Sequence, residues 1–303
     1  MSGFLEALSG LGRDLFLLVW SGMITGCLYA LGALGLVMIF KCSRVVNFSH
    51  GNVAGFAAFL IYGFSSGLLL DLSWGAAVLL AVMATVAIAF LSYAIISPIV
   101  FESDLTATIA TLGLGLVVQG ATLLIFGADI VSLDLPVPRF STSILGLHVT
   151  GYDLTVLAVA LVTIGGLFLV IEYTKLGVAF RAISENPFAA EVCGLNLRSV
   201  HLFAWVVAAI LGVVGALLIV PTTFLSSTTV AAFMLQAFAA AVVGGFASLP
   251  GSLLGGLLIG ILMNLFTFYV SPEFSSTFLL VVILLALNIF PNGILARVGG
   301  TRV

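Results

Sequence analysis

Residues 40–55 read FKCSRVVNFSHGNVAG. The stretch holds one of the three histidines of the chain and two of its nine basic residues. On either side the sequence runs apolar for twenty residues or so with almost no charge. The surroundings explain why such a break stands out. The 303-residue chain is 62% hydrophobic and 7% charged, against roughly 25% charged in an ordinary soluble domain. Mean hydropathy is +1.34. A water-soluble core of this length cannot hide that much apolar surface, so the solvent is lipid.

A bilayer core about 30 Å thick is crossed by roughly 20 apolar helical residues. On that scale the candidate spans are 15–40, 51–70, 74–97, 105–127, 153–172, 200–220, 229–247, 251–270 and 275–291. The runs are continuously apolar rather than alternating, which favours helices over a barrel. The expected fold is an all-α, polytopic membrane protein of about nine transmembrane or re-entrant helices, forming a single transmembrane domain over 1–303. The pair 229–247 and 251–270 is short enough to be partly re-entrant. No cleaved signal peptide is read at the start, because MSGFLEALSGLGRDL lacks a basic n-region.

Lysine and arginine in short loops set orientation. With the N-terminus outside, Lys41, Arg44, Lys175, Arg181, Arg198, Arg297 and Arg302 fall in the cytosol, and Arg13 and Arg139 outside. The 98–104 loop, with Glu102 and Asp104, adds no support. Cys42 and Cys193 then lie in a reducing compartment and Cys27 in a span, so no disulfide framework is expected.

Two connections are long. Residues 128–152 contain prolines and β-formers and read as an ordered outer loop or small hairpin. Residues 172–201, EYTKLGVAFRAISENPFAAEVCGLNLRSVH, read as two short amphipathic helices at the cytosolic face. Ser184-Glu185-Asn186-Pro187 supplies a cap with proline at the first helical position, and Gly194 a stop. A plain inter-helix loop is the bland alternative, but such loops are usually shorter. A weak echo relates 28–60 to 235–265, each an apolar run, a break and a glycine-led run, as in transporters built from repeats.

The break at 41–50 has a simple reading too, as charged topology markers with helix caps. That reading leaves VVNFSHG unexplained, since irregular backbone at membrane depth is tolerated where it lines a cavity or is buried in protein. Asn47, Phe48, Ser49, His50 and Gly51 are therefore candidates for lining or gating a pathway. Gly251/Gly255 and Gly256/Gly260 form consecutive GxxxG patterns, which let helices approach closely in lipid. Gly244 and Gly245 precede them and are further pathway candidates. Thr108 and Thr111 share a helix face, with Gln119 two turns on. A glutamine in lipid needs a partner, so Gln119 and Gln236 face protein or a pathway. No span carries an acidic or basic residue near its centre, no GxxxxGK phosphate loop exists, and no metal or nucleophile constellation is found. The basic residues form no cluster that would point to nucleic acid.

GxxxGxxYALxALGLVMIF, VVNFSHG, GVAFRAISENPFAAEVCGLN and FAAAVVGGFASLPGSLLGGLLIG, in that order, resemble the marks of the branched-chain amino acid permease family of ABC importers, LivH-type membrane subunits. The resemblance covers nearly the whole chain. Ser49 and Asn52 replace the alanine and glutamate of the related INFAHGE motif, and Asn186-Pro187 alters the cytosolic loop. The family also includes importers of urea, short amides and aromatic or other organic acids, so the substrate stays open. The resemblance implies a non-catalytic subunit of the bacterial inner membrane that carries no cofactor. Its implied partners are a sister permease in a heterodimer, two cytosolic ATPase subunits and an external substrate-binding protein. It also implies that loop 173–199 docks the ATPases, through Arg181, Glu185, Ala189, Ala190, Glu191 and Gly194. The rival readings are an ATP-independent channel for a solute such as urea, and a membrane-embedded enzyme, for which no catalytic set is present.

Overall fold

A computed structural model describes residues 2–138, 140–144 and 147–295. Arg139, Arg297 and Arg302, and the side chain of Arg13, used above for orientation, lie outside what it describes. The helices are α1 (Ser2–Ser43), α2 (His50–Ser65), α3 (Trp74–Val100), α4 (Asp104–Phe126), α5 (Gly151–Tyr173), α6 (Lys175–Glu185), α7 (Pro187–Val192), α8 (Leu197–Thr223), α9 (Ser227–Gly244), α10 (Leu249–Tyr269) and α11 (Ser275–Ile289). Strands β1 (Ser141–Ile144) and β2 (Leu147–Thr150) pair antiparallel, Ser141 opposite Thr150. The hairpin expected in 128–152 is there.

Among the described residues, six helices are long and apolar enough to cross a membrane: Asp14–Ser43 within α1, and α3, α4, α5, α8 and α10. Of the nine expected transmembrane or re-entrant helices, these six have crossing length, and α2, α9 and α11 are shorter. The 16 residues of α2 span about 24 Å at 1.5 Å each, less than a hydrocarbon core. Sequence length misled here because the apolar run at 51–70 continues past Ser65, where the helix ends.

Side-chain hydroxyls and amides fix the ends. Ser103 accepts from the Thr106 amide, Thr174 from Gly177, Asn186 from Ala189, Asn196 from Ser199 and Ser248 from Gly251. Thr150 and Asp153 form a full capping box at the start of α5. Each satisfies an amide that the first helical turn leaves unpaired.

The core runs along α1 and α8. The most apolar stretch of α1 is 78% buried and that of α4 only 22%, so α1 is interior and α4 peripheral. Leu105, Leu116 and Leu124 of α4, and Leu161 and Val162 of α5, stand exposed. In a lipid solvent such faces are normal. The α10 helix is clamped on two sides by glycine. A Cβ at Gly256 would lie 2.6 Å from the Ala30 Cα, and one at Gly26 2.7 Å from the Leu257 Cα. Gly260 meets Gly22 and Gly26, while Gly251 and Gly255 meet Gly244 and Ala240 of α9. One GxxxG pair of α10 therefore serves each neighbour, and its partner in α1 is Gly22-x3-Gly26.

Candidate translocation site

Helix α1 ends where Arg44 takes a left-handed backbone (φ 58°), a conformation costing roughly 1–2 kcal/mol for a side chain with a Cβ. The chain then doubles back into the bundle. Val45, Asn47, Ser49 and His50 are all buried, so residues 45–50 form an interior segment and not a simple capped turn at the bundle's end. The His50 ring lies against Gly35 of α1. Gly35 precedes Ser43 by two turns and more, roughly 12 Å along the axis, which measures how far the chain returns.

An extended segment inside a bundle has no ladder partner, so its amides need other acceptors. Two threonines of α4 provide them. The Phe48 amide donates to Thr111 Oγ1 (3.0 Å) and the Val46 amide to Thr108 Oγ1 (3.4 Å). The Thr111 hydroxyl donates in turn to the Val46 carbonyl (3.2 Å) and the Thr108 carbonyl (2.7 Å). Asn47 Oδ1 accepts from the Ser49 amide (3.0 Å) and hydroxyl (2.7 Å), turning the chain into α2. The structure thus joins two sets of candidates that the sequence kept separate.

His50 occupies a slot between two helices that both lack a Cβ at that level. A methyl at Gly35 would lie 2.7 Å from its Cε1 and Nε2, and one at Gly212 of α8 2.9 Å from its Cε1. Its Nε2 has no hydrogen bond among the described residues, and neither has Trp205 Nε1. Both side chains border a small void of ≈ 10 Å³ beside Asn47, Ser49 and Ser92. Gly51 is pressed against Met234 of α9, with a Cβ position 2.6 Å from the Met234 Cβ.

A second break, between α9 and α10, touches the first. Lys41 Nζ donates to the Ala247 carbonyl (3.0 Å). Phe40 packs on Phe246 (4.9 Å between ring centres), Phe246 on Phe238 (5.6 Å) and Phe238 on Phe48 (5.9 Å). Gly244 and Gly245 lie at this break in backbone contact, Gly244 with Gly251 and Gly245 (φ 95°) with Asn292 and Gly293. Both are enclosed by close backbone packing, Gly244 against α10 and Gly245 against the turn after α11. Gln119 continues the Thr111–Gly115 face of α4 and is half-buried. Gln236 is elsewhere, lining a cavity of ≈ 410 Å³ near the β-hairpin end with Tyr29, Asp153 and Thr222.

At the opposite end, α6 is anchored by buried Ala179, Phe180 and Ile183, and Arg181 pairs with Glu172 at 3.0 Å in solvent. In α7 and its exit, Ala189, Glu191 and Gly194 are exposed, as is Glu185 before it. Ala190 is not: it is 5% exposed and packs inward, so it supports this surface without belonging to it. The large apolar groups facing outward are Phe188 (76% exposed) and Val192 (73%). Sequence reading missed Phe188, Phe238, Phe246, Gly35 and Gly212. An isolated glycine in a helix usually has a packing reason, and that signal was available for the last two.

An interior polar break between a long helix and a short one, in a bundle otherwise built for lipid, suits a polytopic membrane transporter. The chain matches the family described as branched-chain amino acid transport system, permease component, over residues 18–287, and belongs to it. It is similar to the high-affinity branched-chain amino acid transport system permease protein LivH of Escherichia coli (strain K12), with 28% identity covering 92% of this chain and 94% of that one. The probable branched-chain amino acid transport permease protein LivH of Methanocaldococcus jannaschii is 29% identical over 88% of each chain. The permease protein BraD of Pseudomonas aeruginosa is 26% identical, covering 91% and 94%. No solved structure matches the chain. The protein is a multi-pass membrane permease subunit of a transport system.

Proposed function

We propose that the chain is one of two permease subunits of an ATP-driven importer of branched-chain amino acids, or of a related small polar solute, in the bacterial inner membrane. The relatives' names support the substrate class. A sister permease completes the pore, an external binding protein delivers solute at the hairpin end, and two ATPase subunits dock on 173–199. The N-terminus is outside and the α6–α7 end cytosolic. The break at Asn47–Gly51 lines or gates the route, braced by Thr108 and Thr111.

One observation carries this reading. Phe188 and Val192 project from a six-residue helix that is tightly capped by Asn186 and Pro187, with Glu185 and Glu191 beside them. Large apolar side chains on a short rigid elbow, outside the lipid-facing body, suit a protein partner. The ATP would be hydrolysed by that partner. Displacing the elbow would bias a two-state pore between inward- and outward-open forms.

The test is co-purification. Phe188→Asp should release the ATPase subunits, leave the permease in the membrane and abolish ATP-dependent uptake. A charge at Ala190 would disturb internal packing instead, so it does not probe the surface. Full retention of the ATPases by Phe188→Asp would refute the docking assignment, and uptake by the permease alone, without ATP, would establish a channel.

A further inference from the structure

The ≈ 410 Å³ cavity lies between α1, α5, α8 and α9, and its walls are chemically divided. Its volume is within the ~300–1,000 Å³ typical of small-molecule sites. Thr25, Tyr29, Asp153, Thr222 and Gln236 supply polar groups; Leu28, Ile219 and Phe233 supply an apolar wall. Asp153 is the one carboxylate among the described lining residues, and no Lys, Arg or His accompanies it. A neighbouring recess of ≈ 330 Å³ shares Asp153, Ser21 and Ile24, and adds a second acid, Asp14.

The carboxylate is held in place. Asp153 Oδ2 accepts from the Thr150 amide (2.8 Å), and the Asp153 amide donates to Thr150 Oγ1 (3.2 Å). The adjacent Tyr152 hydroxyl donates to the Leu218 carbonyl (2.6 Å), tying α5 to α8. A fixed negative charge in walls of low dielectric attracts a cation and repels an anion strongly.

The geometry points to a substrate subsite inside the permease that reads an ammonium group on an apolar body. Asp153 takes the ammonium, Leu28, Ile219 and Phe233 the aliphatic part, and the Gln236 amide group the solute's carboxylate. This inference rests on the permease reading and narrows it. An organic acid without an amine meets an unneutralised carboxylate, and urea offers neither charge nor apolar body. A charge-assisted hydrogen bond from the ammonium favours the amine-bearing solute.

The experiment uses the assembled importer in lipid nanodiscs without its binding protein. Saturation-transfer NMR is recorded with L-leucine, 3-methylbutylamine (leucine without its carboxylate) and 4-methylpentanoate (leucine without its amine). Transfer is expected to the first two and not the third. Asp153→Asn keeps an acceptor for the Thr150 amide and should weaken L-leucine binding roughly tenfold or more. Gln236→Leu should weaken L-leucine while sparing 3-methylbutylamine. Equal transfer to the acid and the amine, no transfer to any probe, or unchanged L-leucine binding by Asp153→Asn would each overturn the subsite. ATP-driven L-leucine uptake by wild-type proteoliposomes tests the permease reading separately. Its absence with intact binding would sink that reading and leave the subsite standing.

Discussion

The slot that holds His50 makes a prediction whose sign depends on one side chain. A carbon approaching another carbon rests at about 3.5–4.0 Å, yet a methyl at Gly35 would start 2.7 Å from two atoms of the imidazole. The ring cannot retreat toward α8, because Gly212 is itself the other wall, with its own Cβ position 2.9 Å away. Overpacking of this kind costs about 1–3 kcal/mol. Replacing a helical glycine by alanine returns about 1 kcal/mol, so Gly35→Ala should destabilise by roughly 0–2 kcal/mol. With His50→Ala already in place the imidazole clash is gone, and the next nearest atom is the Ala208 carbonyl oxygen at 3.3 Å. Gly35→Ala should then be neutral or slightly stabilising. The four proteins of this cycle would be unfolded in detergent micelles by denaturant titration. The coupling energy should be roughly 1–3 kcal/mol, within the range for residues in contact. An equal loss from Gly35→Ala with His50 and without it would refute the reasoning.

Two further outcomes follow from the packing. Thr111→Val removes the acceptor of the Phe48 amide and should cost about 1–3 kcal/mol, with faster hydrogen exchange at Phe48, whereas Thr111→Ser should restore both; exchange unchanged in Thr111→Val would show that α4 does not hold the break. Gly26→Val drives a branched side chain into the α10 backbone, where even a Cβ is 2.7 Å from the Leu257 Cα, and no stable protein is expected from membranes, so normal yield of a monodisperse variant would disprove the α1–α10 crossing.

Composition made the solvent and the helices legible, because nothing else accommodates a chain so poor in charge. The cap at Asn186 with Pro187 was equally readable, since it acts on an amide three residues away. The path of residues 45–50 was not. Its polar residues look the same whether they turn in solvent or are buried, and the choice is made by Thr108 and Thr111, more than sixty residues downstream. The same distance hid the role of glycine. The GxxxG pairs of α10 announce close approach, but only the folded chain shows that Gly256 and Gly260 serve α1 while Gly251 and Gly255 serve α9. Ala190 is the converse case. Small and apolar in a surface helix, it reads as outward-facing, while the exposed apolar face is formed by its neighbours Phe188 and Val192.

The elbow and the interior break are also joined by contacts, through the start of α8. Arg198 lies over the Phe101 ring (5.8 Å), Phe101 stacks on His201 (5.8 Å), and His201 Nε2 donates to the Cys42 carbonyl (3.1 Å). Cys42 is in the last turn of α1, two residues before the left-handed Arg44. A shift of the α8 N-terminus therefore has to carry the end of α1 with it or break a buried hydrogen bond, and a lost bond of this kind costs about 1–3 kcal/mol. From the end of α1 the contact continues through Lys41 to Ala247 and through Phe40, Phe246, Phe238 and Phe48 back to the break. Packed side chains of this density rearrange between discrete states rather than stretch. Under the importer reading, a push on Phe188 and Val192 would pass through the short link 193–196 into α8 and from there through these packed contacts to the break.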